Sequence, residues 1–170
     1  MATPRNSRIP AATGLARGTA NNPFGGYNSA DPRDANPILT AAFEVAKARF
    51  ETATRKVRIV STHRSLLAQS AIYKQGRHPL ADVNYARGLA KMPPITEAEN
   101  RIISNAKPGS SKHNSYPSAA IDVAIIQDGK YVAMDPAPYR AFAVLMGQAD
   151  ARIKWGGLFP RFADNPHFEI

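Results

Sequence analysis

Four side chains in the C-terminal third carry the chemistry of this sequence: His113, Asp122, Asp164 and His167. Two imidazoles and a carboxylate make the ligand set of a catalytic zinc, which takes three protein ligands and leaves a fourth position open. His113, Asp122 and His167 supply that set. Asp164 stands three residues before His167, so a carboxylate that binds no metal lies within reach to take a proton from an attacking water. The chain has no cysteine, which leaves histidine and carboxylate as the donors for a transition metal.

Positioning these groups needs strands. Ser118 to Ile126 alternates with the period of a pleated strand, placing Ala120, Asp122 and Ala124 on one face and Ile121, Val123 and Ile125 on the other. The C-terminus repeats the pattern, with His167 and Glu169 on one face and Phe168 and Ile170 on the other. Two neighbouring strands would then aim Asp122 and His167 at one point. Ser111 and Glu169, each two residues from a histidine, are candidates for orienting His113 and His167 through hydrogen bonds. A further candidate is Arg64, at a junction where the β-branched strand Val57 to Ser61 hands over to a helix that Ser65 caps and Gly76 ends. Such a junction aims a side chain into a cleft. The adjacent His63 reads as a packed or solvated residue rather than a ligand.

These stretches resemble a known family. Ser111-x-His113, Ala120-x-Asp122, Trp155-Gly156-Gly157 and Asp164-x-Pro166-His167-Phe168-Glu169 are similar to the motifs of the zinc D-Ala-D-Ala carboxypeptidase and L-alanyl-D-glutamate endopeptidase family, which includes bacteriophage endolysins. The resemblance spans residues 37 to 170 and is most specific at its D-x-P-H-F-E ending. It implies zinc held by His113, Asp122 and His167, with Asp164 as general base. Arg64 and Gln69 match the family's V-T-S-x-x-R-S-x-x-x-Q pattern, which implies a role for Arg64 on the tetrahedral oxyanion. One departure is visible: the commonest family form is H-x-x-G-x-A-x-D, whereas His113 to Asp122 is two residues longer and has Pro117-Ser118 in place of the glycine.

The remaining elements follow from periodicity and turn chemistry. Asn36-Pro37 opens a helix to about Thr54, with Leu39, Phe43, Ala46 and Phe50 as its apolar stripe. Residues 75 to 94 read as a long loop over the site. Thr96 to Glu99 forms a capping box opening a short helix through Ile103, and Asp128-Gly129 marks a hairpin. Asp135-Pro136 opens a helix whose buried stripe is Tyr139, Phe142, Met146, Ala149 and Ile153. Residues 1 to 36, rich in Pro, Gly and Asn, read as a flexible or extended arm, in which Arg5, Arg8 and Arg17 are the candidates for wall binding. The expected fold is α+β: a domain over residues 37 to 170 with a small, mainly antiparallel sheet carrying the zinc site, packed with helices.

Composition narrows the partners. Lys and Arg number 22 against 13 Asp and Glu, for a net charge of +9 and a pI near 10.1, so a polyanion attracts this chain: nucleic acid, anionic lipid or envelope polymer. The scattered cations and the lack of a nucleic-acid motif argue against the first. No apolar run is long enough to span a membrane, and the N-terminus lacks the order of a secretory signal. The expectation is a soluble monomer made in a host cytoplasm, acting on the peptidoglycan of the cell wall or periplasm, with a separate holin-type protein giving access. The expected reaction is hydrolysis of a stem-peptide amide bond, L-Ala-D-Glu by the resemblance. A D,D-carboxypeptidase or dipeptidase on D-Ala-D-Ala ends is the alternative within the class, and a non-catalytic, zinc-containing wall-binding module is the alternative outside it.

Overall fold

The strand that carries Asp122 is the centre of the architecture. In the computed structural model, which describes residues 28–132 and 135–170, β2 (Ala120–Gln127) pairs antiparallel with β1 (Arg55–Ser61) on one side and β5 (His167–Glu169) on the other. β4 (Lys154–Trp155) pairs with the far side of β5, giving the order β1-β2-β5-β4. β3 (Lys130–Tyr131) returns from β2 through Asp128 and Gly129, at φ of 50° and 74°, the left-handed pair that a two-residue hairpin turn requires. The expected alternation holds: Ile121, Val123 and Ile125 point into the core, leaving Asp122 on the opposite face.

Two helices cover the apolar face. α1 (Pro37–Phe50) is capped by Asn36, whose side chain accepts from the Ile38 N–H at 2.9 Å, and α4 (Pro136–Ala149) by Asp135, which accepts from the Ala137 N–H at 2.9 Å. Leu39, Phe43 and Phe50 meet Tyr139, Phe142 and Met146 over β2. The Phe142 ring stands edge-on to Phe50, Phe168 and Phe43 at 5.1, 5.6 and 5.8 Å, a favourable geometry for aromatic quadrupoles. α1 stops at Phe50, short of the expected Thr54, because Glu51 turns extended and its carboxylate accepts from the Val57 N–H at 3.0 Å. That bond blunts the start of the β1 edge.

The second half of the fold departs from expectation. α2 (Leu66–Lys74) begins at Ser65, whose hydroxyl accepts from the Ala68 N–H at 3.1 Å. The stretch expected to be a loop instead contains a third helix, α3 (Leu80–Leu89), packed against α2. Its stripe is short and half polar, with Val83 and Arg87 as its buried residues, so apolar periodicity understates it. At Gly76 (φ 72°) a Cβ would fall 2.2 Å from the Ile102 backbone nitrogen, so the chain crosses itself where only glycine fits. The expected helix through Ile103 is a single 3-10 turn, Glu97–Glu99, while Ile102 and Ile103 lie in irregular, exposed chain. Glu99 accepts from both the N–H and the hydroxyl of Thr96 at 2.8 Å, so the box closes without a longer helix behind it. Together the elements make an α+β fold with a five-stranded antiparallel sheet.

Candidate metal centre

Asp122 and His167 stand directly opposite each other in the β2–β5 register, on the face away from the core. His113 arrives from a single 3-10 turn, Lys112–Asn114, whose carbonyl at His113 accepts from the Arg64 N–H at 2.9 Å. Three donor atoms converge: His113 Nε2 and His167 Nδ1 each lie 3.1 Å from Asp122 Oδ1, and 3.3 Å from each other. Tetrahedral zinc with bonds of about 2.0–2.2 Å separates its donors by about 3.3–3.5 Å. The triangle, with edges of 3.1, 3.1 and 3.3 Å, is close to that size.

The outer nitrogens decide what faces inward. His113 Nδ1 sits 2.5 Å from the Thr62 carbonyl, and His167 Nε2 sits 3.2 Å from Glu169 Oε2. Both outer partners are acceptors, so each ring, when neutral, carries its proton outward and turns a lone pair toward Asp122, an anion. Three lone pairs at this distance repel unless a cation lies among them. A proton on an imidazole answers the same need. Burial opposes a charge on His167, yet hydrogen bonds to Asp122 and Glu169, with the Asp122 and Asp164 carboxylates nearby, raise its pKa above the ordinary value. Burial pushes the Asp122 carboxyl up, but His113, His167 and Arg64 together hold it well below the usual range. The three donors fit a divalent ion.

Around this triangle the orienting groups take definite places. Ser111 caps the turn of His113, its hydroxyl accepting from the His113 N–H at 3.3 Å. Glu169 reaches His167 directly. Arg64 is anchored at both ends, with Nη1 donating to Gln69 Oε1 and Nη2 to Asp122 Oδ2, both at 3.0 Å. Gln69 is fully buried and donates onward to the Ala106 carbonyl at 2.8 Å. His63 lies apart, its Nδ1 3.0 Å from the Ser115 carbonyl.

Asp164 is held beside the triangle by the Trp-Gly-Gly turn. The Trp155 indole N–H donates to the Asn165 carbonyl at 2.8 Å, and the Asp164 N–H donates to the Gly156 carbonyl at 3.0 Å. A Cβ on Gly156 would stand 2.6 Å from the Asp164 carbonyl oxygen and 2.9 Å from His167 Cβ. Only glycine lets both residues close over it. Burial raises the Asp164 pKa, Asp122 adds to the rise, and His167, Arg64 and His113 oppose it.

Sequence reasoning missed the supports of the long loop. Of the expected arm, residues 1–27, including Arg5, Arg8 and Arg17, lie outside the described residues. Residues 28–36 run beside the loop that leads into β2. Ser118 donates its N–H to the Asp34 carbonyl and accepts from the Asn36 N–H at its own, each at 2.8 Å, and Ala35 and Ser118 form a parallel bridge. The buried Asp34 carboxylate accepts from Ser29 Oγ at 2.6 Å and from the Tyr116 hydroxyl at 3.1 Å. The Thr62 peptide is gripped twice: its N–H donates to the Ser29 carbonyl at 2.7 Å, and its carbonyl takes the Ser118 hydroxyl at 3.0 Å beside His113 Nδ1. A backbone carbonyl has no residue signature. Asp34, which with Asp31 is one of two acids among turn residues, was the available clue.

No family model matches the chain. Among solved structures, it is similar to the crystal structure of the Serratia marcescens L-Ala D-Glu endopeptidase ChiX, with 19% sequence identity over 82% of each chain and a TM-score of 0.53. At that identity the likeness establishes a shared fold.

Proposed function

We propose that the chain is a zinc-dependent peptidoglycan peptidase that hydrolyses a stem-peptide amide bond, the L-Ala-D-Glu bond in particular. The observation that carries this reading is the triangle of His113, Asp122 and His167 donors, mutually within 4.8 Å, beside a half-buried carboxylate, Asp164, outside the triangle. The fold shared with an L-Ala D-Glu endopeptidase supports the substrate class, as do the sequence motifs at the same positions. Zinc bound by the three donors would supply a Lewis acid for the scissile carbonyl and lower the pKa of water there.

The chain's own groups then have distinct tasks. Asp164 takes a proton from the attacking water and delivers it to the leaving amine as the C–N bond breaks; a carboxyl raised by burial suits both directions. Arg64 uses two of its five N–H donors on Gln69 and Asp122, which leaves three for the developing oxyanion. Ser111 and Glu169 keep the imidazoles in register. The peptidase domain is residues 37–170, buttressed by 28–36. The sequence resemblance extends the reading to an endolysin of phage type, monomeric, with a holin-type protein opening its route to the wall; among the described residues no helix is long and apolar enough to cross a membrane.

Mass spectrometry of fragments released from purified peptidoglycan tests the proposal, with zinc content measured on the same preparation and on the His167→Ala variant. We expect one zinc per chain, lost in the variant, and new amino termini on D-Glu. Release of free D-Ala instead would assign a D,D-carboxypeptidase. An intact wall in the presence of bound zinc would make the protein a binding module.

A further inference from the structure

Beside the metal centre, on the outer edge of β4, lies a cleft of about 510 Å³, within the size range of small-molecule sites. Its walls are apolar: Val144, Ile153, Trp155, Leu158 and Phe159. Two of these sit largely in water, Leu158 at 75% and Val144 at 55% exposure. Two cations, Arg140 and Lys154, join the lining, and no lining residue is acidic. Neither cation has an ion-pair partner among the described residues. The Phe159 ring, 5.8 Å from that of His167, separates the cleft from the triangle.

Shape and charge together select an occupant. α4 contributes Arg140, Ala143 and Val144, about one turn or ~5.4 Å of helix. That is too short a groove to seat a partner helix, which docks through anchors repeated over two turns or more. It suits a single extended chain. Apolar walls call for a hydrocarbon, and a lining with two cations and no acid calls for an anionic head, at Arg140 first, since Lys154 stands opposite Glu169 in the β4–β5 register. We propose that this cleft binds a single-chain anionic amphiphile, an acyl chain carrying a carboxylate. The proposal does not rest on the peptidase reading, and its test does not use turnover.

Trp155 lines the cleft and is the chain's one tryptophan, so the protein carries its own reporter. The full chain is titrated with decanoate below its micelle concentration while Trp155 emission is followed, with decyltrimethylammonium and decanol as parallel arms. We expect a saturable change with decanoate, at least ~10-fold weaker for the other two heads, and an Arg140→Glu/Lys154→Glu double variant that loses the preference. Arg140 and Lys154 are solvent-facing, so the variant should keep its fold; Arg58→Glu/Lys130→Glu, at exposed positions of β1 and β3 away from the cleft, serves as a charge-matched control that keeps decanoate binding. Equal responses to all three heads would overturn the proposal in favour of apolar adhesion. An emission change that follows protein concentration and ignores decanoate would give the cleft to a second copy of the chain and overturn it equally.

Discussion

Around β2 the buried groups are rings and branched chains, with Phe142 touching Phe43, Phe50 and Phe168. Around α3 the contrast is sharp, because the buried apolar cluster between α2 and α3 is three alanines, Ala68, Ala71 and Ala90, with Leu67, Ala86 and Met92 packed against it. Polar side chains do much of the bonding in that half. Gln75 donates to the Glu99 carbonyl at 2.7 Å and accepts from Arg87 Nη1 at 3.2 Å, and Arg87 Nε donates to the Pro93 carbonyl at 2.7 Å. Asn84 exchanges two hydrogen bonds with Ile95. The sheet half is held by area removed from water, and the α2–α3 half by directional bonds between side chains and irregular backbone. Arg64 and Gln69 stand at the joint, tying the polar half to Asp122.

The comparison is broken most easily at its strongest point. Phe142→Ala should cost about 3–5 kcal/mol, the range for a large aromatic lost from a core, and should unfold sheet and metal site together. Thermal denaturation with and without chelator measures it; a loss below ~1 kcal/mol would mean the rings are not what holds the sheet half.

Next in size is Asp164→Ala. Its carboxylate is outside the donor triangle, so zinc content and melting temperature should stay close to those of the wild type while hydrolysis of a soluble muropeptide falls at least ~10²-fold, about 2.7 kcal/mol in barrier. Retained activity would move the base to Glu169, the carboxylate outside the triangle that bonds to His167.

Gln75→Ala probes the polar half. It leaves one buried Arg87 donor without its partner and frees the more exposed Glu99 carbonyl, at a cost of about 1–3 kcal/mol. Because the damage is local, hydrogen exchange should quicken across residues 75–105 while β2 and β5 keep their protection. Uniform loss across both halves would show that they unfold as one unit.

This contrast also explains which parts of the molecule could be read from sequence. The alternation in β2, the Asp128-Gly129 turn and the stripes of α1 and α4 are statements about apolar area and backbone sterics, and those leave a period or a residue type behind. So does the facing of Asp122 and His167, since strand alternation sets the side on which each emerges. α3 is different, because its buried face includes Arg87, whose guanidinium finds its acceptors on Gln75 and Pro93. No periodicity marks such a partner. The same limit hid the Thr62 carbonyl behind His113 and the grip of residues 28–36 on Ser118. Arg64 stood out by type and position, but its anchoring on Asp122 Oδ2 is a tertiary fact. The extra length between His113 and Asp122 is likewise intelligible only with Asp34 in view, since that loop turns through Tyr116 and Ser118 to bond to it.

That loop gives the smallest and finest test. Tyr116 is half exposed, so Tyr116→Phe removes one hydroxyl and little packing, and Asp34 keeps its bond from Ser29. The stability cost should be about 0.5–1.5 kcal/mol, that of one hydrogen bond. The more telling quantity is zinc affinity, measured by competition with a chelator and set beside Glu169→Gln. Glu169 bonds to an imidazole directly, and weakening such a partner costs about 10–100-fold in affinity. Tyr116 acts on His113 at longer range, through Asp34, Ser118 and the Thr62 carbonyl, so its loss should register below that range yet above zero. If Tyr116→Phe weakened zinc as much as Glu169→Gln, residues 28–36 would belong to the site as fully as the strands do. If it left affinity untouched, the bonds from Asp34 would merely cover the loop, and Thr62 would be held by β1 and the His113 turn alone.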